Sequence, residues 1–288
     1  MTYPRFRVGF VGLGDIGHGM AANLARAPEV DLTVYDTRPD AVTALTSLGA
    51  HAAADVADLT HDVDLVGICV ADADQLKAVL FGEHGFITAA RSGQIVVAHS
   101  TVSPVVVREC AEALETNGVA MLDAPISGGR DGSEAGTLTI MVGGDDDAFA
   151  KAEPILQLMG STVTKVGPLG SGEVVKLANN VMSMGNRLLY LEALRLAEAH
   201  GISEETLNQV VSGSTGASWA QENIAFLDLH GVRHTDAGTA GHPVRFAKDL
   251  RQIAALASEN GIPMPITGLL AQIAPEEFRK RWAERRGQ

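Results

Sequence analysis

Two rhythms of apolar and polar positions run along this chain, and one gives way to the other near residue 167. Up to there, short β-branched and apolar runs alternate with segments of helical period; beyond it only the helical period persists. The runs predict strands at Arg5–Val11, Asp31–Tyr35, near His51, Asp64–Val70, Gln94–His99, Val119–Asp123, Thr137–Gly143 and Ser161–Val166. Between them, helices are expected at 18–27, Pro39–Leu48, Asp55–Thr60, Gln75–Leu80, Pro104–Glu115 and Asp145–Leu158. Strands separated by helices build a parallel, doubly wound sheet, so the fold class is an α/β Rossmann type. The stretch from Ser171 to His200 reads as one helix of about 30 residues, roughly 45 Å long. Its first half is apolar nearly all round (Val174, Val175, Leu177, Ala178, Val181, Met182, Met184), which predicts burial between other elements. Further helices follow near Ser203–Val211, Ser218–Leu229, Pro243–Asn260 and Ile266–Ile273, with a last one from Glu276. Its five basic residues make that last segment a solvated helix. The resulting division is a dinucleotide-binding domain at 1–166, an interdomain helix at 167–200 and an all-α domain at 201–288.

Composition narrows the partners. With 22 Lys and Arg against 35 Asp and Glu the net charge is −13, which disfavours nucleic acid and anionic membranes. An anionic substrate would need a local positive or donor-rich site. The two cysteines, Cys69 and Cys110, lack metal or redox spacing and read as free thiols in a reducing cytoplasm. No targeting segment or membrane-spanning run is expected, and no metal site.

Chemistry concentrates at three places. The first strand ends in Gly12-Leu13-Gly14-Asp15-Ile16-Gly17 and a helix follows, the setting that a G-x-G-x-x-G phosphate turn requires. The second strand ends in Asp36, where a carboxylate can bind a ribose 2′-hydroxyl and repel a 2′-phosphate, so NAD is preferred over NADP. Arg38 is able to stack on adenine or to accept that phosphate, and Asp15 should point to solvent. After the strand at Val119–Asp123 comes Ala124-Pro125-Ile126-Ser127-Gly128-Gly129, whose bare amides and hydroxyl suit a carboxylate; an ordinary glycine-rich turn is the alternative. Finally, Lys176 and Asn180 lie one turn apart on the long helix, on the stripe below Gly172, which would open space above them. They are either a reaction site or a snorkelling lysine beside a satisfied asparagine. Thr101 follows the fifth strand and either lines the cleft or caps the next helix, a cap that Ser103 before Pro104 supplies better.

Together these pieces resemble the β-hydroxyacid dehydrogenase family of 3-hydroxyisobutyrate dehydrogenase and tartronate semialdehyde reductase, within the 6-phosphogluconate dehydrogenase superfamily. The likeness is carried by residues 9–24 (GFVGLGDIGHGMAANL), by DAPISGG with the strand after it, by Gly170-x-Gly172-x-x-x-Lys176-x-x-x-Asn180, and by Lys248-Asp249-Leu250. It implies hydride transfer between NAD(P) and a short β-hydroxy acid or its semialdehyde, in homodimers or homotetramers. By resemblance, Lys176 is the general acid/base. Asn180, Ser127, Gly128, Gly129 and Thr101 hold the substrate carboxylate and its neighbourhood. Gly12, Leu13, Gly14, Ile16, Gly17, Asp36, Thr37, Arg38, Val70, Thr101 and Lys248 face the cofactor. Ile16 and Ala71 depart from residues common in the family, away from the chemistry. A lysine at 176 speaks against the imine reductases of the superfamily; an NADPH-dependent semialdehyde or imine reductase and a noncatalytic NAD(P)-binding scaffold are the alternatives. Trp219 and Phe246 read as core residues rather than pocket walls, and Arg130 as solvent-facing.

Overall fold

The computed structural model describes residues 6–236 and 241–286, with their side chains apart from those at 230 and 233–248. The chain divides into two compact units, Met1–Lys176 and Leu177–Gln288.

In the first unit the strands are β1 (Phe6–Val11), β2 (Val30–Tyr35), β3 (His51–Ala52), β4 (Leu65–Ile68), β5 (Ile95–Ala98), β6 (Ala120–Asp123), β7 (Ile126–Ser127), β8 (Thr139–Gly143) and β9 (Thr162–Gly167). The helices are α1 (Gly17–Arg26), α2 (Pro39–Thr46), α3 (Val56–Thr60), α4 (Ala73–Phe81), α5 (Pro104–Glu115), α6 (Gly129–Ala135) and α7 (Asp146–Leu156). The sheet runs β3-β2-β1-β4-β5-β6-β8-β7, with β9 beside β8. From β3 to β6 every pairing is parallel. Because side chains alternate across a strand, each central strand feeds two cores. Phe10, Leu65, Ile95 and Val97 point to the face covered by Met20, Leu24, Leu45 and Ala152. Val11, Val66, Ile68, Val96 and Ala98 point to the face covered by Leu59, Leu76, Leu80, Val107 and Leu114. Strand order reverses between β1 and β4, and ligands of such sheets bind at the carboxyl ends beside that reversal.

The expected parallel sheet needs one correction: β8 runs antiparallel to both β6 and β7. Only the seven-residue α6, closed by left-handed Gly136, separates β7 from β8, so no full crossover helix returns the chain to its starting end.

The long helix is α8 (Ser171–Ala199). Its residues from Leu177 onward belong to the second unit with α9 (Glu204–Ser212), α10 (Trp219–Glu222), α11 (Ile224–Asp236), α12 (Gly241–Glu259) and α13 (Pro265–Arg286). Leu177, Met184, Leu188, Leu191 and Leu194 of α8 join Leu250, Ile253, Leu270, Phe278 and Trp282 in one core.

Three expectations fail here. The first half of α8 is not buried all round: Val174, Val175 and Met182 are exposed, because the helix spends only one stripe on its core and its other apolar stripe faces outward. The last helix is not a solvated tail. It runs unbroken through Pro275, whose carbonyl accepts from Arg279 Nε at 3.1 Å, and it buries Phe278, Arg281 and Trp282. Trp219 is 56% exposed rather than core, since it opens the four-residue α10 whose buried positions are Ala220 and Gln221. Phe246 lies outside the described side chains. Among the described residues, no helix is long and apolar enough to cross a membrane, and no cluster of His, Cys, Asp and Glu is arranged to hold a metal ion.

Candidate active site

The glycine turn at the end of β1 has a distinct steric reason at each glycine. Gly12 takes φ +91°, and a Cβ there would strike the Cys69 carbonyl at the end of β4. A Cβ on Gly17 would overlap the Gly12 carbonyl oxygen, so only glycine lets α1 start this close to β1. Gly14 is different: a Cβ there would meet no described atom within 4 Å. That open side lies at the N-terminus of α1, where unpaired amides favour a phosphate. The turn therefore fits a dinucleotide. Asp15 is exposed, as expected, and Ile16 occupies the N-cap without a capping side chain.

Asp36 at the end of β2 is tied into this turn. Its Oδ2 accepts from the Leu13 amide at 2.6 Å, and its Oδ1 accepts from the Arg38 amide at 2.9 Å and from Arg38 Nε at 3.2 Å. Arg38 Nη2 in turn donates to the Leu13 carbonyl at 2.9 Å. Burial opposes ionisation of Asp36, but the two amides and the guanidinium outweigh it and hold the carboxyl below its usual range. Thr37 and Arg38 are exposed beside it.

At the carboxyl ends of β4 and β5, the Val70 amide donates to Ser100 Oγ at 2.9 Å, so the segment carrying Thr101 is anchored to the segment carrying Val70. Ser103 accepts from the Val105 amide at 3.2 Å and caps α5, which leaves Thr101 out of the cap. Cys69 lies partly buried under the glycine turn, and loss of water pushes its thiol pKa up to about 12.

Ser127 ends β7, and Gly128 and Gly129 both take positive φ, +131° and +63°, as the chain enters α6. A Cβ on Gly129 would meet no described atom within 4 Å, so this turn also keeps an open face. Helix α6 rests on α1: a Cβ on Gly19 would strike Ser133, and Asn23 Nδ2 donates to the Ser133 carbonyl at 2.7 Å. The Ser127-Gly128-Gly129 turn and the glycine turn after β1 are thus joined through one packed helix pair. Arg130 is exposed and paired with Glu134 at 2.7 Å.

The first turn of α8 is held by Asp123, the last residue of β6. Its Oδ1 accepts from the Gly170 amide at 2.7 Å and its Oδ2 from the Glu173 amide at 2.8 Å. Gly172 does not open space above Lys176 as the sequence suggested. A Cβ there would strike the Met141 carbonyl and come within 2.9 Å of Asp123 Oδ2, so glycine serves close packing of the helix onto the sheet ends. Lys176 lies three residues beyond Glu173 and is partly buried. Asn180, one turn further along the same helix, donates from Nδ2 to Asp249 Oδ2 at 2.9 Å. The Lys248 side chain lies outside the described residues.

Sequence reasoning missed Asp123, Ser100 and the α1–α6 contact. Asp123 carried a signal, an acid closing an apolar strand directly before a glycine-rich segment; the partners of the other two are distant in sequence and left none.

A doubly wound sheet with an open glycine turn at the order reversal, and an acid after the next strand, defines a dinucleotide-binding fold of the Rossmann type. Comparison with known proteins makes this specific. Residues 7–167 match the NAD binding domain of 6-phosphogluconate dehydrogenase, and residues 170–283 match the NAD-binding domain of NADP-dependent 3-hydroxyisobutyrate dehydrogenase. A 2-(hydroxymethyl)glutarate dehydrogenase of Eubacterium barkeri is 32% identical over 93% of this chain and 87% of its own. An NAD-dependent L-serine dehydrogenase of Pseudomonas aeruginosa is 34% identical over 90% of this chain and 88% of its own. The crystal structure of a 3-hydroxyisobutyrate dehydrogenase from Salmonella typhimurium superposes with a TM-score of 0.78 at 32% identity, covering 96% of this chain and 93% of that one. The chain belongs to the β-hydroxyacid dehydrogenase family and is an NAD(P)-dependent oxidoreductase.

Proposed function

We propose that the protein interconverts a short β-hydroxy acid and its semialdehyde, with NAD as the preferred cofactor. When bound, the nicotinamide supplies or accepts the hydride at the carbon bearing the oxygen. Lys176 then moves the proton: as ammonium it donates to the forming alkoxide in reduction, and in neutral form it accepts from the hydroxyl in oxidation. Ser127 and the amides of Gly128 and Gly129 take the substrate carboxylate as neutral donors, which suits a chain of net charge −13. Asn180, with Thr101, orients the substrate, and Asp249 fixes the Asn180 amide. The observation that carries this reading is an ionisable amine three residues beyond a helix turn anchored to the strand that leads into the bare glycine turn. The preference for NAD is supported by an ionised Asp36 and by an Arg38 already engaged with Asp36 and Leu13. Leu13, Val70 and Lys248 complete the proposed cofactor contacts, with 1–166 as the cofactor domain, 167–200 as the interdomain helix and 201–288 as the helical domain. Two free thiols fit a reducing cytoplasm, and copies of the chain associate with one another through the helical unit.

The test is a panel of 3-hydroxyisobutyrate, 3-hydroxypropionate and L-serine with NAD and NADP. Turnover of at least one acid is expected, faster with NAD, and rising from neutral to alkaline pH along one deprotonation. Lys176→Met should lower the rate about 10²- to 10⁴-fold and flatten that profile. A Lys176→Met enzyme with the native rate would remove the lysine from the chemistry, and silence across the panel would overturn the substrate class.

A further inference from the structure

We propose that Asp123 is a positioning residue that sets Lys176 against the Ser127-Gly128-Gly129 turn. The inference rests on the role of Lys176 proposed above. Asp123 is fully buried, with no lysine, arginine or histidine bonded to its carboxylate among the hydrogen bonds of the described residues. It is instead held by the amides that open α8, those of Gly170 and Glu173, at 2.7 and 2.8 Å. The N-terminal turn of a helix concentrates unpaired amides and partial positive charge, so these amides hold the Asp123 carboxyl and fix the turn in place. Burial, the larger effect, nonetheless raises its pKa above the ordinary carboxyl value. Two glycines make room for it. A Cβ on Gly143 would strike Asp123 Oδ1, and a Cβ on Gly172 would come within 2.9 Å of Oδ2.

On its other side, Asp123 continues into the glycine turn along a pinned backbone. The Ala124 amide donates to the Ala98 carbonyl at 2.8 Å and the Met141 amide to the Pro125 carbonyl at 3.1 Å. Ile126 and Ser127 then pair with Ile140 and Thr139. One carboxylate therefore ends a rigid path to the substrate turn and begins another, three residues long from Glu173, to Lys176. An ordinary N-cap comes from the residue next to its own helix; this one comes from 47 residues away, and that separation is what lets it tie two parts of a site together.

The experiment is a double-mutant cycle of Asp123→Asn and Lys176→Met in the full-length enzyme, read by steady-state kinetics on the best acid of the panel. Asparagine can accept from one of the two amides but must turn an NH2 toward the other. Asp123→Asn is expected to lower kcat by about 10- to 100-fold. KM for the acid and the dissociation constant of NAD should stay within about threefold, since the glycine turn and the phosphate turn are untouched. In the Lys176→Met background, Asp123→Asn should add no further loss, because its effect passes through Lys176. Additive losses, an unchanged kcat, or a parallel collapse of cofactor binding would overturn the proposal. If Lys176→Met alone retains the native rate, the reading of Lys176 fails, and the two failures are thereby told apart. Asp123→Ser, smaller and still able to accept from one amide, is the second variant if Asp123→Asn does not fold. Failure of both to fold would make Asp123 a folding residue and likewise overturn the proposal.

Discussion

His99 stands just after β5, its ring stacked on Phe10 with centroids 6.1 Å apart. Its Nδ1–H donates to the Ala124 carbonyl at 2.9 Å, and Nε2 has no hydrogen-bonding partner among the described residues. Burial lowers the imidazole pKa to about 4 from the ordinary 6.5, against a smaller upward pull from that carbonyl. In the unfolded chain the ring takes a proton below pH 6.5, whereas in the folded chain it resists protonation down to about 4. The unfolded state therefore binds more protons in that window, and stability falls as pH falls through it, by up to roughly 3 kcal/mol. His99→Met, about as large and uncharged, should flatten that acid limb between pH 6.5 and 4.5 in denaturation followed by circular dichroism. An acid limb as steep as the native one would show that other groups carry it. The sequence placed His99 at the end of a strand but could not show that its ring turns inward onto Phe10, because that depends on the register of β1 on β4 and of β4 on β5.

Helices α8, α9, α11 and α13 meet at one buried carboxylate. Asp228 accepts from Arg187 at 3.0 Å, from Arg281 at 2.8 Å and from Arg285 at 3.3 Å, while Glu204 takes second bonds from Arg281 and Arg285. The Arg187 guanidinium also lies 4.4 Å over the Phe278 ring. Its side chain is only 3% exposed, and burial lowers its pKa despite Asp228. Asp228→Asn leaves that cation in the core without its counter-charge, at a cost of about 3–5 kcal/mol. Both tryptophans, Trp219 and Trp282, lie in this unit, so tryptophan fluorescence during urea denaturation reads it directly. A shift under about 1 kcal/mol would mean that packing of Phe278 and Trp282 carries the junction instead. At this scale the sequence was most legible where periodicity and caps agree. Helix α5 spans Pro104–Glu115 and is capped by Ser103 as read from the chain, and α8 ends within a residue of expectation. It was least legible where burial decides. The basic residues of α13 suggested solvent, yet Arg281 and Arg285 point inward, because acids on α9 and α11 meet them there. The candidate site divides in the same way: its glycine turns are set by local backbone demands and could be read, while Asp123 serves a helix far along the chain.

Charge and apolar surface are unevenly shared between the two units. Residues 1–176 carry 11 Lys and Arg against 23 Asp and Glu, whereas residues 177–288 carry 11 against 12. In the nearly neutral unit, Met182, Leu189 and Leu196 are 67%, 64% and 66% exposed. They fall at steps of seven along α8, so they form one stripe on the side opposite Leu177, Met184 and Leu191. Ile266 and Leu269 on α13, preceding the core residue Leu270, add exposed apolar surface to the same unit. An apolar stripe of this length in water favours association, and a second copy of this chain is the occupant expected here. Two chains of net charge −13 repel one another least where their surfaces are close to neutral. Between Leu189 and Leu196 this face carries a single charged side chain, Glu192, so a two-fold copy would meet it across mostly apolar surface. The native chain is therefore expected to sediment at twice 30.1 kDa or a higher even multiple at micromolar concentration. Met182→Glu with Leu189→Glu should drive it toward the single-chain mass while leaving its circular dichroism unchanged. A native chain that sediments as one copy would overturn this assignment. A glutamate pair that leaves the mass unaltered would move the interface off α8.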